Sequence, residues 1–154
     1  MKMMLFLSLV SVWLFLAAVI INDIMKELVY ADMNRLEEEI IDATNHVRAA
    51  NGLSILDKDH ELTTNAERYA MINVEHGRIS HDHEPLQSRM PSHCISIGEN
   101  LYQGREYAKD IVNAWLNSPS HRENILDPEW DSIGIGIARS NNQIVVVQLF
   151  CSSK

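Results

Sequence analysis

His81, His83, His93, Glu99 and His121 are the side chains in this sequence best suited to hold an ion or move a proton. Imidazole plus carboxylate is the ligand set that zinc and similar divalent ions take. His81 and His83 are two apart; in a strand their rings would share a face, and in a loop the spacing fixes nothing. Glu99 stands between Gly98 and Asn100 at the entry to an apolar run. A glycine beside a carboxylate points to close backbone packing. A carboxylate held there needs a charge partner or an ion, because burying a free charge is costly. His121 lies in the stretch Ala-Trp-Leu-Asn-Ser-Pro-Ser-His-Arg-Glu-Asn-Ile-Leu-Asp, residues 114–127. Ser118 can accept a hydrogen bond from a free N–H at a helix start, with Pro119 in the first helical position. Ser120 and Glu123 offer a second register, a Ser-x-x-Glu capping box. In either register His121 falls in the first helical turn, where the helix dipole disfavours a cation and keeps the imidazole neutral. A neutral imidazole can ligate a metal or accept a proton. The plainer alternative is a capping turn that contains a histidine, beside loop histidines that are only solvated.

Several elements must position these groups. Met33, Leu36, Ile40, Ala43, Val47 and Ala50 recur at helical steps, predicting a helix over 32–51 capped by Asp32 and ended by Gly52. Residues 24–31 read as a short linker. A second helix is expected from Asp57 or Asp59 to about His76, ended by Gly77, before the histidine-rich loop 78–85. Residues 86–90 suggest a helical turn. A third helix is expected over 106–117, with Ala108, Ile111, Val112, Ala114 and Trp115 as its apolar set. Ile133, Ile135 and Ile137 alternate with Gly134, Gly136 and Ala138, the pattern of a strand. The Ser140-Asn-Asn142 turn leads to a return strand over 143–151. The small residues of the first strand leave one sheet face open to close packing by a helix. Both sheet faces look apolar, so the fold class is α+β, with helices on both sides of a small, largely antiparallel sheet.

Residues 3–21 carry no charge and are almost wholly apolar. Such a run can span a bilayer as a membrane anchor or serve as a long signal peptide, since Val29-Tyr30-Ala31 fits the small-x-small cleavage rule. Both place residues 32–154 across a membrane as one domain and let the N-terminal segment engage the membrane. All acidic residues follow the run, and the chain carries a net charge of −8. An acidic domain lacks the basic face that nucleic-acid binding needs. Cys94 and Cys151 can pair in an exported domain; the alternative is two free thiols.

Asn45-His-Val-Arg48, Ile79-Ser-His81, Gly98-Glu-Asn100, Ala114-Trp115 with Ser118-Pro-Ser-His-Arg122, Ile133-Gly-Ile-Gly136 and Gln148-Leu-Phe150 occur in the order of the CAP superfamily. This is the SCP-domain family of cysteine-rich secretory proteins, antigen 5 and plant pathogenesis-related 1 proteins. The chain resembles its short bacterial-type branch from about Leu36 to Cys151. The resemblance implies a three-layer α-β-α sandwich, an extracellular or cell-surface location, and a central cavity lined in eukaryotic members by two His and two Glu. His81 matches the first histidine and Glu99 the first glutamate. Ser118 stands where the second glutamate would be, and His121 is the nearest substitute. The His-Tyr-Thr-Gln segment that carries the second histidine is absent, as are the extra disulfides of eukaryotic members.

The expected function is a secreted or surface-anchored binding module, not an enzyme. Its pocket around His81, Glu99, His121 and Ser118 would take a small-molecule or lipid ligand or a metal ion, zinc or another divalent cation, with His81, His121 and Glu99 as ligands. An extracellular or cell-envelope protein is the other expected partner. A metal-dependent hydrolase would use Glu99 as general base, with His81 and His121 as ligands or acid. A third alternative is structural, the three side chains pinning loops over the sheet.

Overall fold

The computed structural model describes residues 2–140 and 143–153, with side chains from residue 11 onward. The Asn141-Asn142 turn and the side chains of residues 3–10, the first part of the apolar run, lie outside the described residues. The chain divides into two compact units, Met1–Arg35 and Leu36–Lys154.

Helix α1 is Lys2–Ala50. It corrects two expectations. Residues 24–31 are helical, not a linker: Met25, Lys26, Glu27, Leu28 and Ala31 are good helix formers, and no Gly or Pro interrupts them. Asp32 therefore lies within the helix and does not start it; it pairs with Arg35 one turn on. In the first unit Trp13, Leu14, Phe15, Ile20, Ile21 and Tyr30 are exposed. Among the described residues, no helix is long and apolar enough to cross a membrane.

The second unit is an α-β-α sandwich around a four-stranded sheet of order β1-β3-β4-β2. Its strands are β1 (Asp57–Lys58), β2 (Ser96–Gly104), β3 (Ser132–Ser140) and β4 (Gln143–Ser152). β2 and β3 both run antiparallel to β4, whereas β1 joins β3 in parallel, so the sheet is mixed. The two-residue parallel pair follows from the short piece after Gly52, which re-enters the sheet edge before the next helix begins.

α2 (His60–Glu75) covers one sheet face. Asp59 caps it, accepting from Leu62 N, and Gly77 beyond it takes a left-handed φ of 67°. Leu62, Ala66, Tyr69 and Ala70 pack on Leu101, Val145, Val147 and Leu149. The other face carries Leu36, Ile40 and Ile41 of α1, α3 (Ala108–Leu116) and α4 (Pro119–Leu126), which pack on Ile133, Ile135, Val146 and Phe150.

The strand glycines set the helix distance. A Cβ on Gly134 would meet the Leu62–Thr63 backbone, and one on Gly136 the Ala66–Glu67 backbone. Gly136→Ala is expected to destabilise by about 1–3 kcal/mol or more, the usual range for overpacking, because backbone cannot rotate aside as a side chain can. Urea unfolding checks this; wild-type stability would mean that α2 shifts freely over β3.

Buried polar residues tie the layers together. Arg48, fully buried, donates to the carbonyls of Ser54, Ile125 and Asp127, and so closes the C-terminal end of α4. Burial lowers its pKa, and the charge of Asp127 opposes that shift. Asn45 both donates to and accepts from the Leu56 backbone.

Candidate functional site

Glu99 is carried by β2, with its side chain only 2% exposed. Its position follows from its neighbours. A Cβ on Gly98 would lie 2.8 Å from the Trp130 ring, so the glycine lets that indole close on the strand. Asn100 donates to His121 O at 3.1 Å and to Gln148 Oε1 at 2.9 Å. Gln148 in turn donates to Thr44 Oγ1, and Asn124 donates to both Asn100 Oδ1 and Glu99 O. This chain of amides fixes β2 to α1, β4 and α4, each buried polar group finding a partner.

Two groups engage the Glu99 carboxylate. His81 Nδ1 is 2.7 Å from Oε1. Arg89, fully buried, donates from Nη2 to Oε1 at 3.1 Å; its Nε lies 2.9 Å from Oε2, close enough for an ion pair though not aligned as a hydrogen bond. Arg89 also donates to Glu84 O and His81 O, and its guanidinium lies 3.4 Å over the Tyr69 ring. It comes from the 3-10 turn Leu86–Arg89, expected only as a helical turn with no chemistry. Arg89 is the site residue that sequence reasoning missed. The available signal was Glu99 itself, since a buried carboxylate demands a cation.

His81 is half-exposed, its Nδ1 directed to Glu99. That hydrogen bond raises its pKa above the ordinary 6.5; partial burial opposes. The His121 ring lies 6.2 Å from that of His81, tilted by 46°. Burial lowers the His121 pKa, and charge on His81 adds to the effect. The two shifts have opposite consequences. His81, held above its unfolded value, stabilises the fold below pH ~6.5, and that contribution is lost as pH rises through its folded pKa. His121, held below, withdraws stability as pH falls through the same region. His121 occupies the first turn of α4, as expected, with Pro119 leading. Ser118 is the N-cap by position, yet its side chain makes no cap hydrogen bond. The Ser120–Glu123 register is not the one adopted.

A cleft of about 640 Å³ opens beside this cluster, lined by His81–Leu86 on one wall and Ile97, Gly98, Glu99 and Asn124 on the other. His121 and Ser118 are outside its lining. His83 is in the lining; its ring stacks on His76 at 4.2 Å, and its Nε2 lies 3.0 Å from Arg78 O. His93 points elsewhere, bonding Asp59 Oδ2. Among the described residues, His93, Cys94 and Cys151 form the one group of three ligand-type side chains close enough to share an ion. Cys94 and Cys151 are joined in a disulfide, Cα atoms 5.7 Å apart, so neither offers a thiolate.

This geometry can be tested against a metal ion. A metal-bound histidine commonly gives its other ring nitrogen to a carboxylate. His81 has that arrangement, with Nε2 left to ligate and Glu99 as the orienting group. Zinc–nitrogen bonds of about 2.0–2.1 Å place two imidazoles on one ion roughly 5–6 Å apart between centres. The His81 and His121 ring centres, 6.2 Å apart, lie just beyond that range, and His81, Glu99 and His121 do not have their ligand atoms gathered together as they stand. The Glu99 carboxylate is engaged by Arg89 and His81, so in this arrangement it would orient His81 and not ligate the ion itself.

The comparisons agree with the fold and the motif order. The chain belongs to the CAP family, the cysteine-rich secretory protein family, which it matches over residues 41–150. It is 30% identical to YkwD of Bacillus subtilis over 118 residues, covering 73% of this chain and 46% of that protein. The chain thus spans less than half of that relative's length. An outer surface protein from Borrelia burgdorferi shares 31% identity at a TM-score of 0.67, covering 80% of this chain and 94% of that one. An extracellular SCP-domain protein from Bacillus anthracis shares the fold at 24% identity and a TM-score of 0.69, covering 77% and 41%.

Proposed function

We propose that this chain is an exported CAP-domain binding module, non-enzymatic, which holds a divalent metal ion between His81 and His121 beside an open ligand cleft. The single observation that carries this is the pairing of Glu99: its carboxylate is ion-paired with the buried Arg89 and takes the Nδ1 side of His81, which leaves His81 Nε2 free beside the His121 ring. The carboxylate thus orients His81. Location at the cell exterior draws on the relatives described as extracellular and outer-surface proteins. The apolar run 3–21 serves as the export or anchoring segment, consistent with exposed Trp13, Leu14 and Phe15.

Two protein ligands leave the remaining positions of a tetrahedral zinc ion to water, so the affinity is modest and the site stays open. Calorimetric titration with Zn²⁺ tests the metal. Binding should disappear in His81→Ala and in His121→Ala and persist in His93→Ala, whose ring faces Asp59. His83 lines the cleft and is a poorer control. Protons compete for the ligating nitrogens, so affinity falls with falling pH. Because Glu99 raises the His81 pKa, that loss begins at a higher pH than an ordinary histidine would give. Equal loss in all three variants would mean adventitious surface chelation, and absence of zinc binding in the parent chain removes the metal from the proposal.

A further inference from the structure

The cleft is bounded by an open piece of sheet edge, and its position can be worked out from the register. β2 is an edge strand. The Cys151 carbonyl accepts from Asp131 N, so odd-numbered residues of β4 bond towards β3 and even-numbered ones towards β2. Ser96 lies opposite Ser152 and Gly98 opposite Phe150. Even-numbered residues of β2 therefore bond β4, and odd-numbered ones turn their N–H and C=O outward. Two side chains agree: Asn124 Nδ2 donates to Glu99 O, and Trp115 Nε1 donates to Leu101 O. The outward carbonyls of Glu99 and Leu101 are thus capped by α4 and α3. Ile97, the preceding outward-facing residue, stands in the cleft wall. Among the described residues, no hydrogen bond is made to its outward N–H or C=O.

Unpaired strand edges recruit another chain, and proteins blunt them with Lys, Pro or a bulge. Residues 94–98 read Cys-Ile-Ser-Ile-Gly, with Ile95 exposed and the β2–β4 register unbroken from Ser96 to Gly104. The cleft volume lies within the ~300–1,000 Å³ of ordinary ligand pockets. Its facing wall offers the exposed carboxylate of Asp82, in a chain of net charge −8; Glu84 beside it is already paired with Arg68 at 2.7 Å.

We propose that this cleft binds an extended peptide, paired through its main chain with Ile97 and carrying a Lys or Arg towards Asp82. The inference rests on the cleft being a ligand site, as in the function proposed above, but does not need the metal. One peptide residue pairs with Ile97 as an added strand. The peptide must then leave the edge at Glu99, where Asn124 already occupies the carbonyl. Its next side chains fall into the cleft between Ile97 and the His81–Leu86 wall.

The test uses the ¹⁵N-labelled full chain in detergent micelles. Three probes are compared: a capped pentapeptide pool with central lysine, the same pool N-methylated at its backbone amides, and a pool with central glutamate. The lysine pool should shift the Ile97 amide resonance and slow its hydrogen exchange. N-methylation should weaken binding roughly tenfold, the size of one to two backbone hydrogen bonds. The glutamate pool should bind more weakly than the lysine pool. Ile97→Pro removes the outward N–H, at the cost of an aliphatic side chain that packs on the core, in an edge strand where proline is tolerated, and should weaken the lysine pool similarly. If that variant fails to fold, the N-methylated pool still decides. No response at Ile97, equal binding of the N-methylated pool, or equal binding of the glutamate pool overturns the proposal. A Zn²⁺ titration on the same sample separates the two ideas. Zinc binding without a peptide response overturns only the peptide, and a peptide response without zinc binding supports the peptide and overturns only the metal.

Discussion

Arg89→Ala lowers the unfolding free energy by about 3–5 kcal/mol, the cost typical of removing one partner from a buried ion pair. The guanidinium is fully buried and faces both oxygens of Glu99, itself almost completely buried. Without it an almost completely buried carboxylate remains at the cleft wall, with only half-exposed His81 to offset it. Arg89 also donates to Glu84 O and His81 O, so the same substitution frees the cleft wall. A double-mutant cycle separates the two losses. If charge burial dominates, adding Glu99→Gln to Arg89→Ala restores part of the stability, since no unpaired ion is left behind. If the loop contacts dominate, the second substitution restores nothing. Urea unfolding with unchanged m-values measures both. A loss below about 1 kcal/mol, the size of a surface change, would mean that Glu99 is hydrated and the pair is not a buried one.

The legibility of this site varied with the range of the interactions involved. The end of α2 at Gly77 and its start at Asp57 or Asp59 are local and readable from neighbouring letters; the choice of Asp59 follows only from the fold, which places Asp57 in β1. The Ile-Gly-Ile-Gly pattern announced a close helix, because a strand sacrifices side-chain packing at glycine only for something that approaches there. That Glu99 needed a partner followed from electrostatics; which partner did not, because Arg89 reaches it through the packing of a turn against β2. The partners of Asn100 and Gln148 were equally hidden, since Thr44, Asn124 and His121 come together only in the folded sandwich. The helix over 24–31 is hidden for a different reason: the segment lacks an amphipathic period, yet an uninterrupted set of good helix formers continues a helix without one. Ser118 is the reverse case: its cap position is set by local sequence, but position alone does not orient a hydroxyl.

Replacing Cys94 and Cys151 together by alanine lowers stability by about 4 kcal/mol, from the loop-closure entropy of a cross-link between residues 57 apart. The bond joins the turn before β2 to the buried end of β4, so the unfolded chain it constrains contains β2, α3, α4 and β3. For a domain of this size the loss corresponds to a fall in Tm of roughly 10–20 °C. The double variant is the informative one, since a single substitution leaves a thiol free to cross-link chains. Reduction of the parent protein should produce a similar fall under non-denaturing conditions. The fold should survive, because both sulfurs sit among Leu101, Val147 and Leu149 in a core that the substitution leaves otherwise intact. The first consequence in the native state should appear at the start of β2, where Ile95 N bonds Ser152 O beside the cross-link. Hydrogen exchange at Ile95 and Ser96 should accelerate in the double variant more than at Asn100, which the amide chain to Gln148 still holds. Uniform acceleration along β2, or a stability change below about 1 kcal/mol, would show that the sheet is held at this end by something other than the disulfide.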